Sequence, residues 1–132
     1  MSQTKIGYLL DTNILIFLLR KDESVSKRIL QETNLYTSII VEGELRYGAE
    51  HSTNVEKSLF DVNEIQQTLT ILIADRTTAN IYGRIRHEQA KKGQMLPDND
   101  LWIAATAVQY GLTLVTRNHH FTWVAGLTLE QW

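Results

Sequence analysis

The chain has 132 residues, 43% of them hydrophobic and 21% charged, a composition that suits one packed globular domain and excludes a disordered tail. It contains no cysteine, which excludes disulfides and thiolate metal sites and suits a cytoplasmic location. The net charge of −2 counts against a uniformly basic nucleic-acid binder, although an acidic metal site beside a local basic patch gives the same sum. The longest apolar run, 14–19, falls far short of the roughly 20 residues that cross a bilayer. The polar stretch 1–6 lacks a signal-peptide apolar region, so no membrane segment is expected.

Residues 6–11, Ile-Gly-Tyr-Leu-Leu-Asp, form a short apolar run with no helical stripe and are predicted to be a buried strand. Two short helices follow over 13–20 and 24–32, the second with Ser24 as N-cap. A short strand is expected over 35–37, helices over 38–50 and 53–67, and a strand over 69–73. A long helix over 77–92 ends at Gly93, and a helix over 98–110 closes at Gly111. A strand over 112–116 and an edge strand near 127–129 complete the chain, which shows no repeat, linker or low-complexity tract and reads as one domain over 1–132. Strands alternate with helices throughout, the pattern of an α/β fold with a mostly parallel sheet and helices on both faces. Sites in such sheets form at the carboxyl ends of the strands, which directs attention to the residues just after 10, 37, 73 and 116.

Three acids stand out. Asp11 ends the first strand; taken alone, capping of the next helix is the simpler reading, and a site at a central strand edge is the alternative. On a helix over 38–51, Glu44 falls within the arc of Ile40, Val41, Leu45, Tyr47 and Gly48, so burial is expected. A buried carboxylate must be compensated, by a core ion pair or by a metal ion. Glu42, Arg46 and Glu50 form a solvated ladder on the other arc and are assigned no function. Asp98 and Asp100 share the first turn of an almost wholly apolar helix and point to opposite sides, so Asp98 or Asn99 is expected to cap while Asp100 faces inward.

Asn118 follows the strand 112–116 and either makes a turn or joins the site. Thr116 could donate to a carboxylate there, and Arg117 is placed to contact a scissile phosphate. Arg84, His87 and Lys91 on one face of the helix 77–92, with Arg86 and Lys92 nearby, make either a phosphate-tracking stripe or an ordinary solvated face. His119 and His120 read as bystanders, and Trp102, Trp123 and Trp132 as core. Carboxylates about 4 Å apart repel by roughly 4 kcal/mol at an effective dielectric near 20, and a divalent cation removes that cost. Hard oxygen ligands without Cys or His suit Mg²⁺ or Mn²⁺ and phosphodiester hydrolysis. No Gly-rich phosphate loop points to an NTPase.

These residues resemble the PIN-domain nucleases, and among them the VapC-type toxins of bacterial toxin–antitoxin pairs. Leu9-Leu10-Asp11-Thr12-Asn13 looks like the first metal motif, and Val41-Glu42-Gly43-Glu44-Leu45-Arg46-Tyr47-Gly48 like the second. Asn99-Asp100 through Ala107 looks like the third, and Leu114 to Asn118 with Phe121, Gly126-Leu127 and Trp132 like the last. The resemblance implies a three-layer α/β fold and a catalytic set of Asp11, Glu44, Asp100 and Asn118, with Asp11, Glu44 and Asp100 as ligands of Mg²⁺ or Mn²⁺. It further implies endoribonuclease activity on tRNA or rRNA that inhibits growth, a homodimer, a cognate antitoxin that blocks the site, and contact with DNA only through that antitoxin. Asn118 stands where the family often has Asp, which lowers the negative charge of the site. The competing readings are a receiver-like Mg²⁺-binding signalling domain, for which Asp11 lacks a neighbouring acid, and a non-catalytic PIN scaffold.

Overall fold

The computed structural model describes residues 7–132. Five strands form one sheet: β1 (Tyr8–Leu10), β2 (Leu35–Ser38), β3 (Thr70–Leu72), β4 (Thr113–Val115) and β5 (Leu129–Glu130). Six helices connect them: α1 (Thr12–Leu19), α2 (Glu23–Gln31), α3 (Ile39–Glu50), α4 (Val55–Gln66), α5 (Arg76–Lys92) and α6 (Asp98–Tyr110), with a 3-10 turn at His119–Trp123. The sheet order is β3-β2-β1-β4-β5, and every pairing is parallel. The expected strand 6–11 is described from Tyr8 onward, Ile6 lying outside the described residues.

The order explains where a site can form. The chain steps from β1 to β2 to β3 in one direction, then crosses back to place β4 on the other side of β1. With right-handed crossovers, helices linking strands in one direction cover one face and those of the return crossing cover the other. The direction therefore reverses at β1, and a crevice opens between the carboxyl ends of β1 and β4, as at other topological switch points. Leu9, Leu10, Leu114 and Val115 at this centre are fully buried, so the strands are apolar without alternation. Among the described residues, no helix is long and apolar enough to cross a membrane.

Local chemistry moved some helix ends. Asp22, not Ser24, caps α2, because its Oδ1 accepts from the Val25 amide at 3.1 Å. Asn54 caps α4 in the same way, which starts that helix at Val55. Asp75 and Thr78 form a reciprocal capping box that starts α5 at Arg76. Gly93 and Gly111 end α5 and α6 with φ of 66° and 63°, the left-handed conformation glycine adopts most readily.

The expected cap of α6 was wrong. Pro97 occupies the N-cap and no side chain caps the helix. Asp98 instead turns outward, accepting from Tyr82 Oη at 2.8 Å and Arg86 Nη1 at 3.0 Å. These bonds, with Tyr82 stacked on Trp102 at 4.0 Å, fasten the start of α6 to α5.

Candidate active site

Asp11 directly follows β1 and performs both tasks the sequence left open. Its Oδ1 accepts from the Thr12 amide at 2.8 Å, capping α1. Its Oδ2 accepts from Thr116 Oγ1, also at 2.8 Å, across the gap between β1 and β4. The residue is only 4% exposed. Burial raises its pKa; the bonds from Thr116 and Thr12 oppose that rise, and the charge of Glu44 adds to it. A carboxylate held this deeply by two short donors is rigidly aimed.

Thr116 is the hub of the crevice. Besides donating to Asp11, its hydroxyl accepts from the Asn118 amide at 3.0 Å and from Asn13 Nδ2 at 3.4 Å. Asn13 in turn accepts from the Arg117 amide at 3.4 Å. One hydroxyl thus ties β1, α1 and the loop after β4 together.

Glu44 is half-buried, not enclosed in the apolar arc that its spacing suggested. The stripe that α3 sinks into the core is Val41, Leu45 and Ala49, whereas Tyr47 on the expected arc is 71% exposed. The helix is rotated so that Glu44 stands at the rim of the core, where Thr12 Oγ1 donates to its Oε1 at 2.7 Å. That bond comes from a residue 32 positions away and compensates the carboxylate; among the described residues no Lys or Arg is paired with Glu44.

Asp100, half-buried in the first turn of α6, has its pKa pushed up to about 6. Burial is the main cause, followed by the charges of Asp11 and then Glu44. The three acids therefore lie within one another's fields, having arrived from β1, α3 and α6. Among the described residues, no three His, Cys, Asp or Glu side chains converge closely enough to ligate one ion as they stand. The donor set nevertheless fits a hard divalent cation: three carboxylates and neighbouring hydroxyls, all oxygen.

The structure does not bring the expected cations to this site. Arg117 is committed elsewhere: its guanidinium donates to Asp22 at 3.1 and 3.3 Å and to the Trp132 carbonyl at 2.8 Å, and lies 4.1 Å over the Phe17 ring. A guanidinium so occupied anchors the chain terminus to α1 and α2 and is not available as a phosphate contact. Arg86 is likewise paired with Asp98, while Arg84 is exposed on α5. Asn118 presents its Oδ1 to the His120 amide at 3.1 Å, shaping the 3-10 turn. The Thr12–Glu44 bond and the Asp22–Arg117 pair were missed from sequence, since their partners lie 32 and 95 positions apart and no periodicity links them.

With this geometry in hand, comparison with known proteins is informative. The PIN domain family model matches residues 8–127. The chain is 35% identical over 130 residues to Ribonuclease VapC2 of Haemophilus influenzae, covering 96% of this chain and 98% of that protein. It is 36% identical over 130 residues to the tRNA(fMet)-specific endonuclease VapC of Shigella flexneri, with the same coverage of 96% and 98%. The DNA-bound VapBC structure from Salmonella typhimurium superposes with a TM-score of 0.93 at 35% identity, covering 97% of this chain and 99% of that one. VapBC2 from Rickettsia felis, bound to a promoter DNA fragment, gives a TM-score of 0.92 at 30% identity, covering 96% and 99%. The all-parallel sheet, the acids gathered at its switch point and this likeness along nearly the whole chain agree: the protein belongs to the PIN domain family, within its VapC branch.

Proposed function

We propose that this chain is a divalent-metal-dependent endoribonuclease that hydrolyses phosphodiester bonds of tRNA or rRNA and acts as the toxin of a toxin–antitoxin pair in the cytoplasm. The observation that carries the reading is the arrival of Asp11, Glu44 and Asp100 at one crevice, where the first and last are raised in pKa by burial and by the other acids. Asp11, Glu44 and Asp100 would hold Mg²⁺ or Mn²⁺. When bound, such a cation supplies charge neutralisation, polarisation of a phosphate oxygen and a water of lowered pKa. Thr116 and the Thr12 amide fix the Asp11 carboxylate from two sides, and the Thr12 hydroxyl fixes Glu44. Asp11 and Glu44 are thus oriented before substrate arrives, which lowers the reorganisation needed for reaction. Asn118 contributes by shaping the loop that carries Thr116, through its backbone bond to that hydroxyl.

A cognate antitoxin fits the same reading. The superposed relatives are VapBC complexes, and an apolar groove of about 270 Å³ lies between α1, α3 and α4, lined by Ile16, Leu19, Leu45 and Val62 and opening beside Glu44. A segment seated there would cover Glu44. Homodimerisation, and DNA contact only through the antitoxin, complete the proposal. A receiver-like domain is set aside by family membership.

The test is cleavage of total RNA by the purified, antitoxin-free chain with Mg²⁺ or Mn²⁺, against EDTA and the variants Asp11→Asn and Asp100→Asn. Discrete products abolished by EDTA and by either substitution are expected. Intact RNA in either metal, from a folded chain that binds the metal, would leave the non-catalytic scaffold as the better reading.

A further inference from the structure

Helix α3 has a second stripe that the carboxylate site explains only at Glu44. Ile40, Gly43, Glu44 and Tyr47 recur at helical spacing and line a groove of about 640 Å³ shared with Thr12 of α1 and Asn99 of α6. That size lies within the roughly 300–1,000 Å³ range of small-ligand sites. Glu44 and Thr12 belong to both, so the groove is continuous with the acids. Among the described residues its lining contains no Lys or Arg, which suits a base better than the phosphate backbone. It offers instead an aromatic ring, aliphatic walls and one amide.

Tyr47 is 71% exposed, and its ring lies nearly parallel to that of His51, at 17° and 5.9 Å between centroids. A Cβ built at Gly43 would meet nothing within 4 Å, so the floor beside Glu44 is open. Asn99 precedes Asp100 and brings both donors and an acceptor to the groove. A ring for stacking, open space beside it and an amide are the elements with which proteins hold an unpaired base.

We propose that this groove is a nucleobase subsite, in which Tyr47 stacks on an unpaired base flanking the scissile phosphate and Asn99 bonds to the edge of that base. The proposal rests on the nuclease reading above. It makes the target a single-stranded loop rather than a continuous duplex, whose bases are already stacked on each other.

The test uses short single-stranded RNAs, chosen around a cut site where the wild-type chain cleaves and by tightest binding where it does not, each also made abasic at one position in turn. Binding is read by fluorescence anisotropy in EDTA, cleavage by KM and kcat, and oligomeric state by light scattering. Tyr47→Ala is expected to weaken binding and raise KM by about ten- to a hundredfold, the loss typical of one stacked base, with kcat little changed. Tyr47→Trp should restore binding, and Gly43→Val should weaken it by filling the floor. One abasic position should cost the wild type the same factor and cost Tyr47→Ala nothing more. Equal abasic losses in wild type and Tyr47→Ala would overturn the proposal, as would unchanged affinity in Tyr47→Ala. Loss of affinity that tracks loss of the dimer would make Tyr47 a subunit contact and overturn it too. A wild type that binds through Tyr47 but never cuts would refute the nuclease reading and leave the subsite standing; one that neither binds nor cuts removes both.

Discussion

Replacing Asp100 by Asn should stabilise the metal-free protein while abolishing its activity. The carboxyl is moved from 3.8 to about 6 by burial and by the charges of Asp11 and Glu44. At about 1.4 kcal/mol per pH unit, that displacement corresponds to about 3 kcal/mol of cost for keeping the group ionised at neutral pH. Asp100 is only half-buried, so solvent screening reduces the usable figure to about 1–2 kcal/mol. Loss of a negative charge near the start of α6 works the other way, by about 0.5 kcal/mol, and does not reverse the sign. A folded-state pKa above the unfolded one means that the protonated carboxyl is preferred in the fold. Its contribution is greatest below 3.8 and is lost as pH rises through about 6. The assay is thermal melting in EDTA at pH 5 and pH 7.5, with and without Asp100→Asn. The wild type should lose stability between the two pH values, and the variant should lose less. At pH 7.5 the variant should melt a few degrees higher, about 2–6 °C for a domain of this size. Adding Mg²⁺ should reverse the order, because only the wild type gains the full binding free energy. A variant that melts at or below wild type in EDTA at pH 7.5 would refute the idea that these acids are held together at a cost.

Other outcomes follow from the same geometry. Thr116→Val removes the hydroxyl that donates to Asp11; it should cost about 1–3 kcal/mol of stability for the stranded buried acceptor and lower cleavage by roughly a hundredfold, read by melting and by kcat. Arg117→Ala should lower stability by about 1–2 kcal/mol through the lost bond to the Trp132 carbonyl and the Phe17 contact. The same variant should leave KM for RNA within about threefold of wild type, whereas a phosphate contact would move it much further. Asp22 has its pKa lowered, first by the Val25 amide and then by Arg117. Its contribution is fully present above the ordinary value of 3.8 and fades as pH falls through the lowered folded value, so Asp22→Asn should flatten the acid limb of a Tm-against-pH curve below about pH 4.

Much of the architecture was legible in local signals. Apolar runs such as Leu9-Leu10 and Leu114-Val115, glycines at positions 93 and 111, and the alternation of strand and helix are properties of neighbouring residues, and they determined an α/β parallel sheet. The two acids at element boundaries were visible for the same reason: Asp11 ends a buried strand and Asp100 opens a buried helix. Spacing alone could not orient α3, because Gly43 and Gly48 blur its apolar arc; only contact with the core decided that Glu44 sits at the rim. The pairing of the arginines was not legible, because the electrostatic partner of a surface arginine is fixed by distant chain segments. Asp22 and the Trp132 carbonyl capture Arg117, and Asp98 captures Arg86. What the sequence determined by itself was which residues carry charge at the ends of buried elements. What only the tertiary structure decided was the strand order that reverses at β1, and hence that Asp11 and Thr116, 105 positions apart, face each other across one crevice, since strand order is a matter of long-range crossover and not of any local preference.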